Sequence, residues 1–253
     1  MTSSAPHIVV ENLTMKYGDF LIQKDLSFTV NRGDIFVVMG GSGCGKSTLL
    51  KHLIGLVEPF AGRVLFSGKS FWDSSTEERE ALLRRIGILY QKGALWTSMT
   101  LAENVAMPLR QYTDYSERRI REIASYKLAL VGLSGFEDYY PSEISGGMQK
   151  RAGLARAMAL DPEVLFFDEP SAGLDPISSK LLDDLILELN RGLGATVVVV
   201  THELPSIFAI GTNSVFLDAE SRTMLATGSP HQLLETSKDP NIIRFLTRGE
   251  REA

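Results

Sequence analysis

Residues 40–48 have the residue types and the spacing of a phosphate-binding loop. Gly40 to Ser47 fits the pattern G-x-x-x-x-G-K-[ST], which here follows an apolar strand pattern and precedes a helical one. Glycines allow backbone amides to turn towards phosphate oxygens, and the start of the helix adds positive charge. Lys46 is placed to reach the outer phosphates, and Ser47 to ligate Mg²⁺. The sequence therefore predicts binding of a magnesium nucleoside triphosphate, with ATP favoured, through Gly40, Gly41, Ser42, Gly43, Cys44, Gly45, Lys46, Ser47 and Thr48.

Two adjacent carboxylates end a second apolar run, Val164–Phe167. One carboxylate would be an ordinary strand-end cap, but two at the end of a buried strand need a reason, because burial of charge is costly. Asp168 is placed to hold Mg²⁺, directly or through water. Glu169 is then the candidate general base, or the group that positions the attacking water. The carboxylate pair and the phosphate-binding loop together predict a nucleotide hydrolase.

The elements that must position these residues alternate between strands and helices. The runs Ile35–Met39, Val164–Phe167 and Val197–Val200 are apolar without alternation, which is typical of parallel strands buried on both faces. Asp175 is placed to cap a helix that has Pro176 in its first turn. The helical pattern that follows has an apolar stripe on one side, which is expected to pack on the sheet. The members of that stripe are Leu181, Leu182, Leu185, Ile186 and Leu189. The predicted fold class is α/β.

Between the strand Ile86–Tyr90 and the strand at Val164 the pattern becomes helical. Thr100 and Glu103 form a capping box at the start of one helix, and Pro108 is expected to bound its other end. A second helix carries an apolar stripe that stops near Gly132 and comprises Ile120, Ile123, Ala124, Leu128 and Val131. This region is predicted to be a helical insertion in the α/β core.

Composition and charge limit the possible partners and compartment. The 253 residues carry a formal net charge of -5, so no overall basic field draws the chain to nucleic acid or anionic lipid. Cys44 is the single cysteine, which excludes an intrachain disulfide and favours a reducing compartment. The start MTSSAPH lacks the features of a secretory signal, and no apolar run approaches the roughly 20 residues that span a bilayer. We expect a cytoplasmic protein that serves any membrane process through another protein, with a charged, frayed tail at 248–253.

A third motif separates the families that share such a loop. Ser145-Gly146-Gly147, within Ile144–Gln149, precedes a helical pattern and lies upstream of Asp168. Here the chain resembles the ATP-binding cassette family, whose signature is usually written LSGGQ. Met148 and Ile144 depart from that signature, and Gly41 stands where many members have proline. The family's other motifs follow in order: Tyr17 at the adenine-stacking position, Gln91 in the Q-loop, Ser171–Asp175 as the D-loop, and His202 as the switch histidine.

Each of these residues has a plainer interpretation when it is considered alone. His202 could be a core or capping histidine, Gln91 an ordinary loop residue, and Tyr17 an aromatic that packs on the sheet. The order of the motifs over nearly the whole chain favours the functional interpretation in each case.

The resemblance implies a P-loop NTPase core of the ABC type, with an antiparallel β edge subdomain and an inserted helical subdomain. The implied divisions are a RecA-like ATP-binding core with the β subdomain at 1–91 and 162–235, the helical subdomain with the signature motif at 92–161, and a C-terminal helix or tail at 236–253. The implied cofactors are ATP and Mg²⁺.

The resemblance also implies roles for individual residues and a dimer. The catalytic residues would be Lys46, Glu169 and His202, and the metal-binding residues Ser47, Gln91 and Asp168. In this family the signature of one subunit completes the site on the phosphate-binding loop of another, so the chain is expected to form a homodimer. Ser145, Gly146, Gly147 and Gln149 would contact the partner's ATP, with Asp175 in the D-loop between the sites. A transmembrane permease would dock near the Q-loop.

Three segments narrow the resemblance further. Gln91–Trp96, Met99–Leu109 and Asp239–Leu246 are similar to the Mla-type ATPases, which work with Mce-domain proteins in phospholipid traffic across bacterial envelopes. This implies a permease, Mce-domain and accessory partners, and a peripheral location on the cytoplasmic face of the inner membrane, with membrane contact only through the permease and no nucleic-acid partner. An ATPase of an amino-acid or other solute importer is the alternative. A non-transport ATPase, such as one for iron–sulfur assembly, is the alternative of a different class.

Overall fold

Two β-sheets and the helices packed on them make up residues 6–91 and 93–249, the part of the chain that the computed structural model describes. The strands are β1 (Pro6–Tyr17), β2 (Phe20–Asn31), β3 (Ile35–Gly40), β4 (Ala61–Phe66), β5 (Lys69–Ser70), β6 (Ile86–Leu89), β7 (Val164–Asp168), β8 (Thr196–Val200), β9 (Asn213–Leu217) and β10 (Met224–Gly228). The α-helices are α1 (Lys46–Leu53), α2 (Thr76–Arg84), α3 (Leu101–Tyr112), α4 (Glu117–Leu130), α5 (Gly146–Ala157), α6 (Pro176–Leu193), α7 (Leu204–Ile210), α8 (Pro230–Thr236) and α9 (Pro240–Leu246). The predicted α/β class is confirmed.

The larger sheet contains the strands that were predicted from unbroken apolar runs. Its order is β10-β9-β3-β8-β7-β6, with β10 antiparallel to β9 and the other neighbours parallel. Every residue of β3 and β8 is buried, as expected for parallel strands that are covered on both faces. Because parallel strands end at the same edge of a sheet, the segments that follow β3, β6, β7 and β8 converge there.

The smaller sheet is antiparallel, in the order β2-β1-β4-β5, and forms the predicted β subdomain. Phe28 of β2 stacks on Phe36 of β3 with ring centroids 5.3 Å apart. Leu49 and Leu53 of α1 are buried in the same apolar cluster. This packing fixes α1, and with it the phosphate-binding loop, between the two sheets.

Three α-helices, α3 to α5, and a short 3-10 helix at Pro141–Glu143 lie between β6 and β7 in the described residues and form the predicted helical insertion. Both hydrogen bonds of the capping box are present, from the Glu103 amide to Thr100 Oγ1 (3.2 Å) and from the Thr100 amide to Glu103 Oε2 (2.8 Å). Ile120, Ala124 and Leu128 of α4 are buried, and α4 ends one residue before Val131. Their apolar cluster is continuous with side chains on one face of the central sheet.

The prediction that Pro108 bounds a helix was wrong. Pro108 lies inside α3, which continues to Tyr112. A proline removes one backbone hydrogen bond of a helix, here the bond that would reach the Asn104 carbonyl. Burial of Val105 and Leu109 on either side keeps the helix intact, because tertiary packing supplies most helical stability.

The apolar stripe of α6 is also narrower than predicted. Leu182, Leu185, Ile186 and Leu189 are buried, but Leu181 is 50% exposed. At 3.6 residues per turn, Leu181 lies about 90° around the helix from the centre of that stripe. It therefore faces away from the sheet.

The last two helices pack on the central sheet and continue its core. Ile242 and Leu246 of α9 are buried with Val37 and Met39 of β3. Arg248 and Gly249, the first residues of the predicted frayed tail, are instead hydrogen-bonded back to α9 through their backbone amides. Residues 250–253 of that tail lie outside the described residues, as do residues 1–5 at the start. Among the described residues, each helix is too short or too polar to cross a bilayer.

A charge cluster at the amino-terminal edge of the central sheet joins the β subdomain to the core. The Glu163 carboxylate accepts two hydrogen bonds from Arg85, of 2.7 and 2.8 Å, and one of 3.3 Å from Arg32. Buried His7 of β1 lies 3.4 Å from the same carboxylate and bonds Thr196 Oγ1 at 2.8 Å. The hydrogen bond from Arg85 is the main reason that the pKa of Glu163 falls from 4.5 to about 2.

We expect Glu163→Gln to lower the free energy of unfolding by about 1–2 kcal/mol at pH 7, a figure reduced for the partial exposure of this carboxylate. A carboxylate whose pKa is depressed in the folded state stabilises the fold above its unfolded pKa and loses that contribution as the pH falls. The difference between wild type and variant should therefore shrink between pH 5 and pH 3, which urea unfolding at each pH measures. Glu188→Gln, on the exposed face of α6, is the control. A difference that stays constant with pH would contradict this assignment.

Candidate functional site

The phosphate-binding loop connects β3 to α1 and requires glycine at particular places. Gly40, Gly43 and Gly45 have φ of +147°, +76° and +97°, a region that disfavours other residues. A Cβ on Gly40 would lie 2.3 Å from the Leu217 carbonyl oxygen, so the chains pack too closely there for any side chain. The glycines are thus explained both by the backbone turn and by this close approach.

A cavity of about 780 Å³ opens over the loop at the carboxyl edge of the sheet. Lys46 lies in its wall, with Nζ donating to the carbonyls of Gly40 and Gly41 at 2.9 Å each. The ammonium is therefore held at the mouth of the loop, where it can pair with phosphate oxygens. The lining comprises Phe20, Ile22, Gly40, Gly41, Ser42, Gly43, Gly45, Lys46, Ser47, Thr48, Gln91, Glu169, His202, Leu204, Phe245 and Arg248.

Ser47 and Asp168 meet beside the loop with geometry that fits a magnesium ion. Ser47 Oγ and Asp168 Oδ1 are 3.5 Å apart. Neighbouring ligands of an octahedral Mg²⁺ at 2.1 Å lie about 3 Å apart, so both oxygens can reach one ion after a small adjustment. Burial, and then the charge of Glu169, raise the pKa of Asp168, and a cation would offset both effects. Gln91, the third predicted ligand, lines the same cavity.

Glu169 and His202 form a pair in the cavity. His202 Nδ1 lies 2.9 Å from Glu169 Oε1, while Glu169 Oε2 is buried with no hydrogen-bond partner among the described residues. One oxygen is thus oriented by the imidazole, and the other can accept a proton or a water hydrogen bond. Glu169 also has φ +48°, a strained conformation for a residue other than glycine. Strain of this kind is concentrated at functional sites.

The predicted signature residues do not line the cavity of their own chain. Ser145 caps α5 and accepts a hydrogen bond from the Met148 amide (3.3 Å), and Gly146 and Gly147 begin the helix. The side-chain amide of Gln149 is used locally, since it donates to the carbonyls of Pro141 and Ile144. A single chain therefore presents the helix start of the signature away from its own loop.

The segment predicted to be the D-loop lies beside the segment predicted to be the signature. Asp175 caps α6 by accepting from the amides of Ile177 and Ser178, both at 3.0 Å. Its hydrogen bonds with Ser178 lower its pKa. A Cβ on Gly147 would lie 3.4 Å from Ser178 Oγ, which places the start of α5 against the start of α6.

Two residues that were predicted to bind nucleotide, Tyr17 and Cys44, do not line the cavity. Tyr17 ends β1 and is 49% exposed, but it is not among the residues that line the cavity, whereas Phe20, its partner across the hairpin, is. Arg222 lies over the Phe20 ring at 5.2 Å. Adenine stacking on Tyr17 remains a prediction.

The Cys44 side chain points into the core under the loop, and its burial raises the pKa of the thiol.

The side chain that supports the loop from below was not among the predicted site residues. Gln23 is fully buried in β2, and its Nε2 donates to the carbonyls of Cys44 (2.7 Å) and Asp218 (2.8 Å). A glutamine within a buried strand pattern was a usable signal, because a buried amide needs partners. Phe245 and Arg248 of the cavity wall gave no such signal.

Several known proteins are similar to this chain over most of its length. The family model described as ABC transporter matches residues 23–172. The "Intermembrane phospholipid transport system ATP-binding protein MlaF" of Haemophilus influenzae is 42% identical over 243 residues, which cover 96% of this chain and 90% of that protein. The protein of that name from Escherichia coli K12 is 39% identical over 97% of this chain and 91% of its own length.

Other relatives carry a different name or have a known structure. The "Probable ribonucleotide transport ATP-binding protein mkl" of Mycobacterium tuberculosis H37Rv is 42% identical over 94% of this chain, which spans 66% of that protein's length. The structure of cbiO1 from Clostridium perfringens, part of the transporter complex cbiONQ, superposes with a TM-score of 0.84 at 27% identity over 97% of this chain and 96% of its own. The dimeric cassette MJ0796 bound to ADP and Pi superposes at 0.78 with 29% identity over 88% of this chain and 98% of its own.

Proposed function

Because this chain belongs to the ABC transporter family, we propose that it is the ATP-hydrolysing subunit of a system that moves phospholipids across the bacterial cell envelope. As a member of that family it is an ATP hydrolase. The phospholipid assignment rests on one observation: the relatives named for phospholipid transport match nearly end to end, over 90% and 91% of their own lengths. The segments Gln91–Trp96, Met99–Leu109 and Asp239–Leu246 support the same subfamily.

The cavity residues divide the proposed reaction among them. The loop amides and Lys46 bind the outer phosphates, and Gln91, Ser47 and Asp168 supply the oxygen ligands for Mg²⁺. When it is bound, Mg²⁺ neutralises charge on the transferring phosphoryl group. Glu169 Oε2 receives a proton from, or orients, the attacking water, and His202 holds the opposite carboxylate oxygen.

Two copies of the chain complete two such sites. The signature of one copy would face the phosphates on the loop of the other, which accounts for its absence from the cavity of its own chain. The similarity to a dimeric cassette supports this arrangement. The proposed dimer docks on a permease near Gln91 at the cytoplasmic face of the inner membrane, with Mce-domain and accessory proteins as further partners.

Ribonucleotide transport is a second candidate, because the mycobacterial relatives of that name are equally identical to this chain. The greater length of those relatives makes them the weaker guide to partners and substrate. The two candidates differ in the membrane complex and its ligand, which can be measured directly.

Affinity purification of the tagged chain from its own host in mild detergent tests the proposal. We expect a membrane permease in the complex, enrichment of phospholipid by mass spectrometry, and ATP hydrolysis that added phospholipid stimulates. Trp96→Ala, at an exposed aromatic residue beside the Q-loop, should lose the permease, while Tyr126→Ala, at an exposed aromatic residue on α4, should keep it. Stimulation of ATP hydrolysis by ribonucleotides other than ATP would favour the second candidate. Recovery of a soluble scaffold protein without a permease would favour a non-transport ATPase.

A further inference from the structure

A buried lysine on the signature helix contacts the segment that follows the catalytic glutamate. Lys150 of α5 is 7% exposed. Its Nζ donates to the carbonyl oxygens of Pro170 at 2.6 Å and Ala172 at 2.5 Å. These two carbonyls flank Ser171, directly after Glu169. One side chain of the helical insertion thus holds a turn of the ATP-binding core.

That turn needs support, because Glu169 has the strained φ of +48° described above. Its backbone is fixed on both sides: its amide donates to the Val200 carbonyl at 2.8 Å, and its carbonyl accepts from the Ala172 amide at 3.1 Å. A strained residue keeps its conformation only when its surroundings hold it there. Lys150 clamps the two carbonyls that determine the path of this turn.

The burial of this ammonium is itself informative. Lysine is rarely buried without a charged partner, and desolvation lowers the pKa of Lys150 while the nearby charge of Glu169 opposes that effect. Its hydrogen bonds are to neutral carbonyls, so a shorter or apolar side chain would avoid much of the desolvation cost. Packing alone does not explain a charge at this position.

The same helix also holds the loop after Gln91. Arg156, near the other end of α5, donates to the carbonyls of Ala94 at 2.6 Å and Gly93 at 3.2 Å. Gly153 packs closely on Gly93, where a Cβ would lie 2.8 Å from its carbonyl oxygen. α5 therefore contacts both the Q-loop segment and the turn after Glu169, and its first residues carry the signature.

We propose that Lys150 is a positioning residue for Glu169, so that the signature helix of each chain sets the geometry of the catalytic glutamate in its own site. The proposal rests on the role of Glu169 proposed above. Through one rigid helix, a chain would offer its signature to the partner's site and at the same time hold its own catalytic turn. Movement of α5 in a dimer would then affect both sites together.

Steady-state hydrolysis of Mg-ATP by the full chain tests this with Lys150→Met, Lys150→Arg, Glu169→Gln and the double variant Lys150→Met/Glu169→Gln. We expect kcat of Lys150→Met to fall about 10- to 100-fold, as for a displaced catalytic group. KM and the ATP dissociation constant should stay within about threefold, since phosphate binding is untouched. Lys150→Arg, which keeps charge and donors, should recover most of the rate. The double variant should be no slower than Glu169→Gln alone, because Lys150 acts through Glu169.

Lys127→Met is the matched control. Lys127 is a buried lysine on α4 that pairs with Asp161 and not with the carbonyls of the turn, so its loss should lower thermal stability without changing kcat. If Lys150→Met does not fold, Lys150→Gln replaces it, because its amide is too short to hold both carbonyls.

Three outcomes would overturn the proposal: an unchanged kcat in Lys150→Met, an equal loss of ATP affinity, or further slowing of the Glu169→Gln background. Normal hydrolysis by Glu169→Gln would instead remove the proposed role of Glu169. Failure of the Lys150 proposal and failure of the proposed role of Glu169 can therefore be distinguished.

Discussion

Glu169→Gln is expected to bind ATP with nearly wild-type affinity and to hydrolyse it at least ~100-fold more slowly, the scale of a lost general base. The amide has the size of the carboxylate and keeps an oxygen for contact with His202, whose Nδ1 lies 2.9 Å from Oε1 in the wild type. The buried Oε2, which has no partner among the described residues, is the atom whose basicity is lost if the amide nitrogen takes its place. Binding and catalysis should therefore separate in this variant.

Slow hydrolysis should also trap the dimer with ATP between its subunits. Gel filtration with Mg-ATP would show a dimer for Glu169→Gln where the wild type returns to monomer after turnover. Equilibrium binding of ATP and steady-state phosphate release give the other two quantities. Glu188→Gln makes the same chemical change on the exposed face of α6 and should behave as wild type. Near-normal turnover in Glu169→Gln would falsify its assignment as the base.

The parts of the site that the sequence predicted are those built within one short segment. The loop at 40–48 depends on a strand, a glycine-rich turn and a helix that are contiguous, so spacing alone defines it. Asp168 and Glu169 were predictable for the same reason, as the end of an apolar strand. Parallel pairing then brings these separate ends together at one edge, which the unbroken apolar runs indicated.

The parts that sequence could not predict depend on contacts between distant residues. Gln23 bonds the Asp218 carbonyl, 195 positions away, and Lys150 reaches across from the insertion to the core. Phe245 and Arg248 line the cavity because α9 packs on β3, and no local pattern records that packing. Pro108 is the opposite case. Local sequence predicted that proline would end the helix, but burial of the neighbouring residues keeps the helix intact.

Two inactive variants are expected to restore activity when they are mixed, if each site is built from two chains. Lys46→Ala removes the ammonium at the mouth of the loop but leaves its own signature intact. Gly146→Asp leaves the loop intact and places a carboxylate where the partner's phosphates would bind. A Cβ on Gly146 meets nothing within 4 Å, and an acidic residue in the first turn suits a helix, so this fold should be unharmed.

Alone, each variant has two defective sites, and loss of a main electrostatic contact should reduce hydrolysis about 100-fold or more. In a heterodimer, the intact loop of the Gly146→Asp chain meets the intact signature of the Lys46→Ala chain, which gives one complete site. Random pairing of equal amounts makes about half of the dimers mixed, and each mixed dimer has one complete site out of two. If the two sites of the dimer act independently, about a quarter of wild-type activity should return. Phosphate release from each variant and from the mixture measures this. Gly192→Asp, on α6 with equally open space, is the control for the added charge. A mixture no more active than its components, or an active Gly146→Asp, would mean that the signature does not serve the partner's site.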